Sequence, residues 1–194
     1  MKRAVFIDRD GTISEEVGYI NHPSRFRVFP YAAAAIKHLN DNGWLAIVVT
    51  NQAGVARGYF SEGMIQTVHA AMTEELENGG ARLDAIYYCA HHPSVGELPY
   101  RFDCDCRKPK PGLISRAARD FDIELAASWM VGDRYSDIEL ARNAGVQSMF
   151  VLSGYGRGEW EHQRVGWKEQ PDLVAEDLLA AVRVIVGKRN SDSP

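Results

Sequence analysis

Three observations in this chain of 194 residues predict an α/β fold, a doubly wound parallel sheet flanked by helices. Short β-prone runs alternate with longer segments of helical period, the pattern of strand-helix-strand units. The runs are apolar at nearly every position, as strands covered on both faces must be. The reactive residues fall just after the strands, where open α/β sheets bind ligands.

Ala4-Val5-Phe6-Ile7 is the first such run and leads into Asp8-Arg9-Asp10-Gly11-Thr12. Residues two apart on an extended chain project to one side, so Asp8 and Asp10 face a common site, and Gly11 lets the chain turn sharply behind them. Two carboxylates held this close repel unless a cation or a proton intervenes, and Mg²⁺, a hard oxygen-seeking ion, suits the pair. Residues 13–30 form a connection of mixed polarity, too short for a separate domain. A helix is predicted over 31–42, stopped by Gly43, followed by a continuously apolar strand over 45–49. That strand ends in Thr50-Asn51-Gln52-Ala53-Gly54-Val55-Ala56-Arg57-Gly58, where a hydroxyl, an amide and a glycine-containing turn offer several short donors to a phosphate. Ile65, Val68, Met72 and Leu76 recur at helical spacing and predict a helix over 61–78; Gly79-Gly80 closes it, and a strand over 83–88 follows.

Beyond that strand stand Cys89-Ala90-His91-His92 and, with twelve residues between it and His91, Cys104-Asp105-Cys106. Three thiolates and one imidazole complete a tetrahedral Zn²⁺ set, and every cysteine of the chain belongs to it. Either His91 or His92 supplies the imidazole on this reading. A closed set rich in sulfur is structural, clamping the 89–108 segment with on the order of 10 kcal/mol. The clamp fixes Arg107 and Lys108, directly ahead of Pro109-Lys110-Pro111-Gly112, which opens a helix through 121. Arg107 suits a second anionic or hydroxyl-rich part of a ligand, because its planar fork holds two oxygens. Trp129-Met130-Val131 is the fourth strand and runs into Gly132-Asp133-Arg134-Tyr135-Ser136-Asp137. A helix over 136–144 and a strand over 148–152 continue the alternation. Ser153-Gly154-Tyr155-Gly156-Arg157-Gly158 reads as a flexible loop near the site, and the chain through 170 as irregular. A short edge strand at 173–174 and a helix over 177–186 complete one domain, 1–187, with a disordered tail over 188–194.

Composition narrows the partners. With 22 basic and 26 acidic residues the net charge is −4, which disfavours nucleic acid and acidic membrane surfaces. No run of 18 apolar residues exists, and Met1-Lys2-Arg3 leads straight into a strand, so a cytoplasmic location is expected. A chain of this size buries about 70% of its unfolded surface, enough for one core, and a monomer is expected.

The Asp8-Arg9-Asp10-Gly11-Thr12 stretch, Thr50, Lys108 and the Gly132 to Asp137 segment resemble, in that order, the four motifs of the haloacid dehalogenase (HAD) superfamily of phosphohydrolases. The resemblance implies a HAD-like fold without a large cap, with Asp8 as nucleophile, Asp10 as general acid and base, and Thr50 and Lys108 binding the transferring phosphoryl group. It also implies a Mg²⁺ site of Asp8, Asp10 through its carbonyl and Asp133, with Asp137 supporting it. The stretches Thr-Asn-Gln-Ala-Gly-Val-Ala-Arg-Gly, Tyr-Tyr-Cys-Ala-His-His-Pro and Cys-Asp-Cys-Arg-Lys-Pro-Lys-Pro-Gly are similar to the D,D-heptose 1,7-bisphosphate phosphatase family. That similarity assigns zinc to Cys89, His91, Cys104 and Cys106, and substrate contacts to Glu16, Val17, Gly18, Tyr19, Asn51, Gln52, Ala53, Arg57, Arg107 and Arg134. Ala90 stands where the family often has Pro, and Arg134 where it more usually has Lys. The implied substrate is a small phosphorylated sugar, a heptose bisphosphate cleaved at its 7-phosphate for lipopolysaccharide or related glycans. Histidinol-phosphate phosphatases share the core and a zinc loop and are the alternative enzyme; a zinc-stabilised binding module without catalysis is the alternative of another class.

Overall fold

The computed structural model describes residues 1–191. Six strands, β1 (Ala4–Ile7), β2 (Leu45–Asn51), β3 (Ala85–Cys89), β4 (Trp129–Gly132), β5 (Gln147–Val151) and β6 (Leu173–Ala175), pair in the order β3-β2-β1-β4-β5-β6. Every pairing is parallel. The helices α1 (Ala32–Asp41), α2 (Glu62–Asn78), α3 (Gly112–Phe121), α4 (Tyr135–Ala144), α5 (Gly156–His162) and α6 (Leu178–Ser191) flank the sheet.

Full burial of β1 comes from two apolar layers that meet it on alternate residues. Val5 and Ile7 pack with Ile36 and Leu39 of α1, Met72 of α2 and Val182 and Ile185 of α6. Ala4 and Phe6 face the other way, into Leu113 and Ile114 of α3 and Leu140 and Ala141 of α4. The period of two along a strand thus explains why a continuous apolar run is needed. The strand order reverses between β1 and β4, which makes the cleft beyond their carboxyl ends the switch point of the sheet. Ile7 pairs with Val48 on one side and Val131 on the other, so the residues that follow these strands emerge side by side.

Three expectations are corrected. The segment read as a flexible loop and irregular chain contains α5, anchored by Trp160 and Trp167, whose rings lie 6.0 and 5.1 Å from Phe150. A helix of seven residues is too short to display its period, and its glycines hid it. The last helix runs to Ser191, past 186, so the tail expected to be disordered from 188 is helical as far as 191, and 192–194 lie outside the described residues. The third strand begins at Ala85 and reaches Cys89, which places the first cysteine on the sheet, in register with Asn51. Among the described residues no helix is long and apolar enough to cross a membrane.

Candidate active site

Asp8 follows β1 and Asp133 follows β4, its neighbour in the sheet, while Thr50 stands near the end of β2 on the other side of β1. Sheet pairing alone therefore brings these three together. Carboxylate oxygens of Asp8, Asp133 and Asp137 all lie within 4.8 Å of one another, and all three residues are buried. Room for the Asp133 carboxylate exists because residue 11 is glycine: Gly11 has φ +82°, and a Cβ there would collide with that carboxylate.

Lys108 enters this cluster from the end of the cysteine loop. Its Nζ lies 2.8 Å from Asp8 Oδ2 and 2.7 Å from Asp137 Oδ1. Burial alone would lower the lysine pKa, yet Asp137 and Asp8 outweigh it and raise it. Burial, opposed by Lys108, pushes Asp8 up to about 7, and burial with Asp8 and Asp137 raises Asp133 well above the usual carboxylate range. Three carboxylates thus face one ammonium. Asp133 Oδ2 accepts from Tyr155 N at 2.8 Å, while its Oδ1 is buried without a hydrogen-bond partner. A surplus of negative charge and an orphaned carboxylate oxygen fit a divalent cation held by oxygen.

Asp10 faces the same cavity from a different setting. Arg9 grips it with two bonds, Nε to Oδ1 at 3.1 Å and Nη2 to Oδ2 at 2.8 Å, and Gln52 Nε2 donates to Oδ2 at 2.9 Å. The same Gln52 nitrogen donates to Thr50 Oγ1 at 2.9 Å. Asn51 exchanges two bonds with the main chain of Lys108, donating to its carbonyl at 3.3 Å and accepting from its N–H at 3.0 Å. The amide therefore holds the lysine in place.

The cavity over these groups has a volume of about 360 Å³ and is walled by Glu16, Gly18, Tyr19, Ala53, Arg107 and Arg134 among others. Of the residues expected at a substrate, Val17 and Arg57 do not line it. The Val17 carbonyl accepts from Arg25, and Arg57 Nη2 lies 3.3 Å from His92 Nε2, bracing the cysteine loop instead. Sequence reasoning missed Tyr155, Ser136 and Gly54, which do line the cavity. It also missed Glu159, whose buried carboxylate pairs with Arg134 Nε at 2.7 Å while the Tyr155 ring lies 4.4 Å beneath the guanidinium. No residue pattern in the sequence marked Glu159, because the helix that carries it was not recognised.

The second cluster sits beside the first. Cys106 Sγ is 3.2 Å from Cys89 Sγ and 3.3 Å from Cys104 Sγ, and His91 Nδ1 is 3.4 Å from Cys106 Sγ. Zn–S bonds of about 2.3 Å imply tetrahedral edges of about 3.8 Å, so the four donors stand nearly at the corners of a zinc site. Cys106 is pushed down to about 5, first by its hydrogen bonding with Cys89, which favours the thiolate form that binds metal. His92 turns the other way, its Nδ1 accepting from the N–H groups of Ser94 and Val95 at 3.2 and 3.1 Å. Arg107 Nη1 donates to the His91 carbonyl at 3.3 Å, which ties a cavity residue directly to the cysteine cluster.

Two strand-end acids, a lysine bridging one of them to an acid of α4 and a hydroxyl on the adjoining strand, at the switch point of a doubly wound sheet, define a hydrolase of the HAD-like class. A family model described as HAD-hydrolase-like matches residues 105–181. The D-glycero-D-manno-heptose-1,7-bisphosphate 7-phosphatase of Thermosynechococcus vestitus is 41% identical over 94% of this chain and 94% of its own. The D-glycero-beta-D-manno-heptose-1,7-bisphosphate 7-phosphatase of Pasteurella multocida is 37% identical over 98% and 100%. The chain belongs to this heptose bisphosphatase family. Among solved structures, D,D-heptose 1,7-bisphosphate phosphatase from B. bronchiseptica complexed with magnesium and phosphate matches with TM-score 0.84 and 32% identity, covering 97% of this chain and 99% of that one.

Proposed function

We propose that this chain hydrolyses the 7-phosphate of D-glycero-D-manno-heptose 1,7-bisphosphate, with Asp8 as nucleophile and Asp10 as general acid and base. The observation that carries the reading is the Asp8 carboxylate, ion-paired to Lys108 and lining a cavity that Asp10 also lines. Lys108 opposes the burial that raises the Asp8 pKa, and the ionised carboxylate it favours needs no base before it attacks phosphorus. Asp8 Oδ forms a bond to phosphorus as the bond to the sugar oxygen breaks, and Asp10 gives that oxygen its proton. Asp10 then takes a proton from the water that attacks the aspartyl-phosphate, which frees inorganic phosphate and restores Asp8. Thr50 and Lys108 bind the phosphoryl oxygens, and Arg107 and Arg134 take the anionic far end of the sugar.

Asp8, Asp133 and the carbonyl of Asp10 would hold Mg²⁺, with Asp137 supporting them through Lys108. When bound there, the ion supplies positive charge against the phosphoryl oxygens. Cys89, His91, Cys104 and Cys106 would hold a structural Zn²⁺ that fixes Arg107 and Lys108. The reading keeps the protein cytoplasmic and monomeric, with a phosphorylated sugar as its partner in place of nucleic acid or membrane. A phosphate-release panel tests it: heptose 1,7-bisphosphate of both anomers against histidinol phosphate. The expected result is a kcat/KM for the bisphosphate at least a hundredfold above that for histidinol phosphate; the reverse order overturns the reading.

A further inference from the structure

Arg9 is an arginine with a side chain only 2% exposed, an arrangement that costs several kcal/mol per ion unless every donor finds a partner. One edge of its fork grips Asp10. The other, Nη1, meets His69 Nε2 at 3.2 Å, and neither residue lines the cavity. Arginine has no acceptor, so Nε2 must be the unprotonated nitrogen and the imidazole must be neutral, with its hydrogen on Nδ1. His69 lies on α2, is itself buried, and has the Tyr88 ring edge-on at 5.7 Å. The Phe26 ring lies 5.8 Å from the guanidinium. Burial first, and the arginine charge second, push the His69 pKa down to about 3, which agrees with the neutral form the contact requires.

The geometry points to His69 and Arg9 as positioning residues for the general acid: an imidazole on α2 orients the arginine fork, and the fork fixes the plane of the Asp10 carboxylate toward the cavity. This rests on the reading of Asp10 as the acid that protonates the departing sugar oxygen. With Oδ2 taken by Arg9 and Gln52, and Oδ1 by Arg9, the carboxylate cannot rotate without breaking at least one strong bond. Lose the acceptor on His69 and the fork is free to tilt. Asp10 would tilt with it, and proton delivery would suffer where the leaving group needs a proton.

Leaving groups therefore provide the test. The sugar alkoxide must be protonated as it departs; dinitrophenolate needs no proton. kcat/KM covers only the steps up to that departure, so it is free of the later hydrolysis, in which Asp10 acts for every substrate. We expect His69→Leu to lower kcat/KM for heptose 1,7-bisphosphate by roughly tenfold or more, within the hundredfold and above that general acids supply. The value for dinitrophenyl phosphate should stay within about threefold of the wild type, and His69→Gln, whose amide oxygen can accept from Nη1, should restore the first. Arg9→Lys, which keeps the charge but loses the fork, should show the same selective fall, and it stands in if His69→Leu does not fold. Equal falls on both esters, or no fall on either, overturn the proposal. A wild-type protein that cleaves the aryl ester but not the heptose bisphosphate refutes the proposed function instead, and the ratio is then measured with the best alkyl phosphate of the panel.

Discussion

The carboxylate cluster takes Asp8 and Asp133 from the ends of two strands that are neighbours in the sheet but far apart in the chain and Asp137 from the first turn of α4, with Lys108 arriving from a further segment. The cysteine cluster beside it takes all four donors from residues 89–106. The first leaves a carboxylate oxygen unpaired and opens into a cavity; the second points every donor inward and faces none of its sulfurs to that cavity. An incomplete set of hard donors has room for a substrate phosphate, whereas a closed set of soft donors can only hold a fold together. Arg107 and Lys108 join the two, since the cysteine segment ends where the cavity begins.

Several experiments would break or sharpen that contrast. The largest effect belongs to the open cluster. Asp8→Asn should lower kcat by at least about a thousandfold, as removal of a nucleophile does, with an unchanged far-ultraviolet circular dichroism spectrum. Its melting temperature in the absence of divalent cations should not fall, because one of three mutually repelling acids is gone. Near-native turnover in this variant would remove Asp8 from the chemistry.

The closed cluster should answer the other way. Cys104→Ser, or removal of zinc by a chelator, is expected to cost stability by several kcal/mol out of the roughly 10 that a structural zinc supplies. Limited proteolysis should then cut within 89–108. Mg²⁺ binding, followed by calorimetry, should persist. Protease resistance that survives zinc removal would mean that the loop is held by packing instead.

A smaller effect concerns His69, which touches neither cluster. Its folded pKa of about 3 lies below its ordinary 6.5, so below pH 6.5 the unfolded chain binds a proton that the folded chain refuses. The stability tied to a neutral His69 is fully present above pH 6.5 and is lost as pH falls toward 3. Between pH 6.5 and 5 the wild type should lose about 1 to 2 kcal/mol relative to His69→Gln, measured by urea denaturation. Parallel curves for the two proteins would show that the imidazole is protonated in the fold.

Much of the site could be read along the chain because its signals are local. Asp8 and Asp10 declare themselves by standing two apart after an apolar strand, and the cysteines by sharing one short segment. Partners contributed from elsewhere carried no such mark. Arg57 was expected at the substrate and instead braces His92; Arg134 was expected there and is present, but held by Glu159 from a helix that its glycines concealed. His69 carries no mark in the sequence, and only the fold sets it against Arg9.

By itself the amino-acid sequence determined the parallel sheet, the acid pair at the end of its first strand and the gathering of three cysteines with a histidine pair in one short segment, since each depends on residue type and on spacings of a few residues. Only the tertiary structure decided that β1 lies between β2 and β4, and hence that Thr50 and Asp8 line one cavity with the buried Asp133 beside Asp8. Strand order is fixed by how the helices pack on the two faces of the sheet, a property of the whole core that no single stretch encodes.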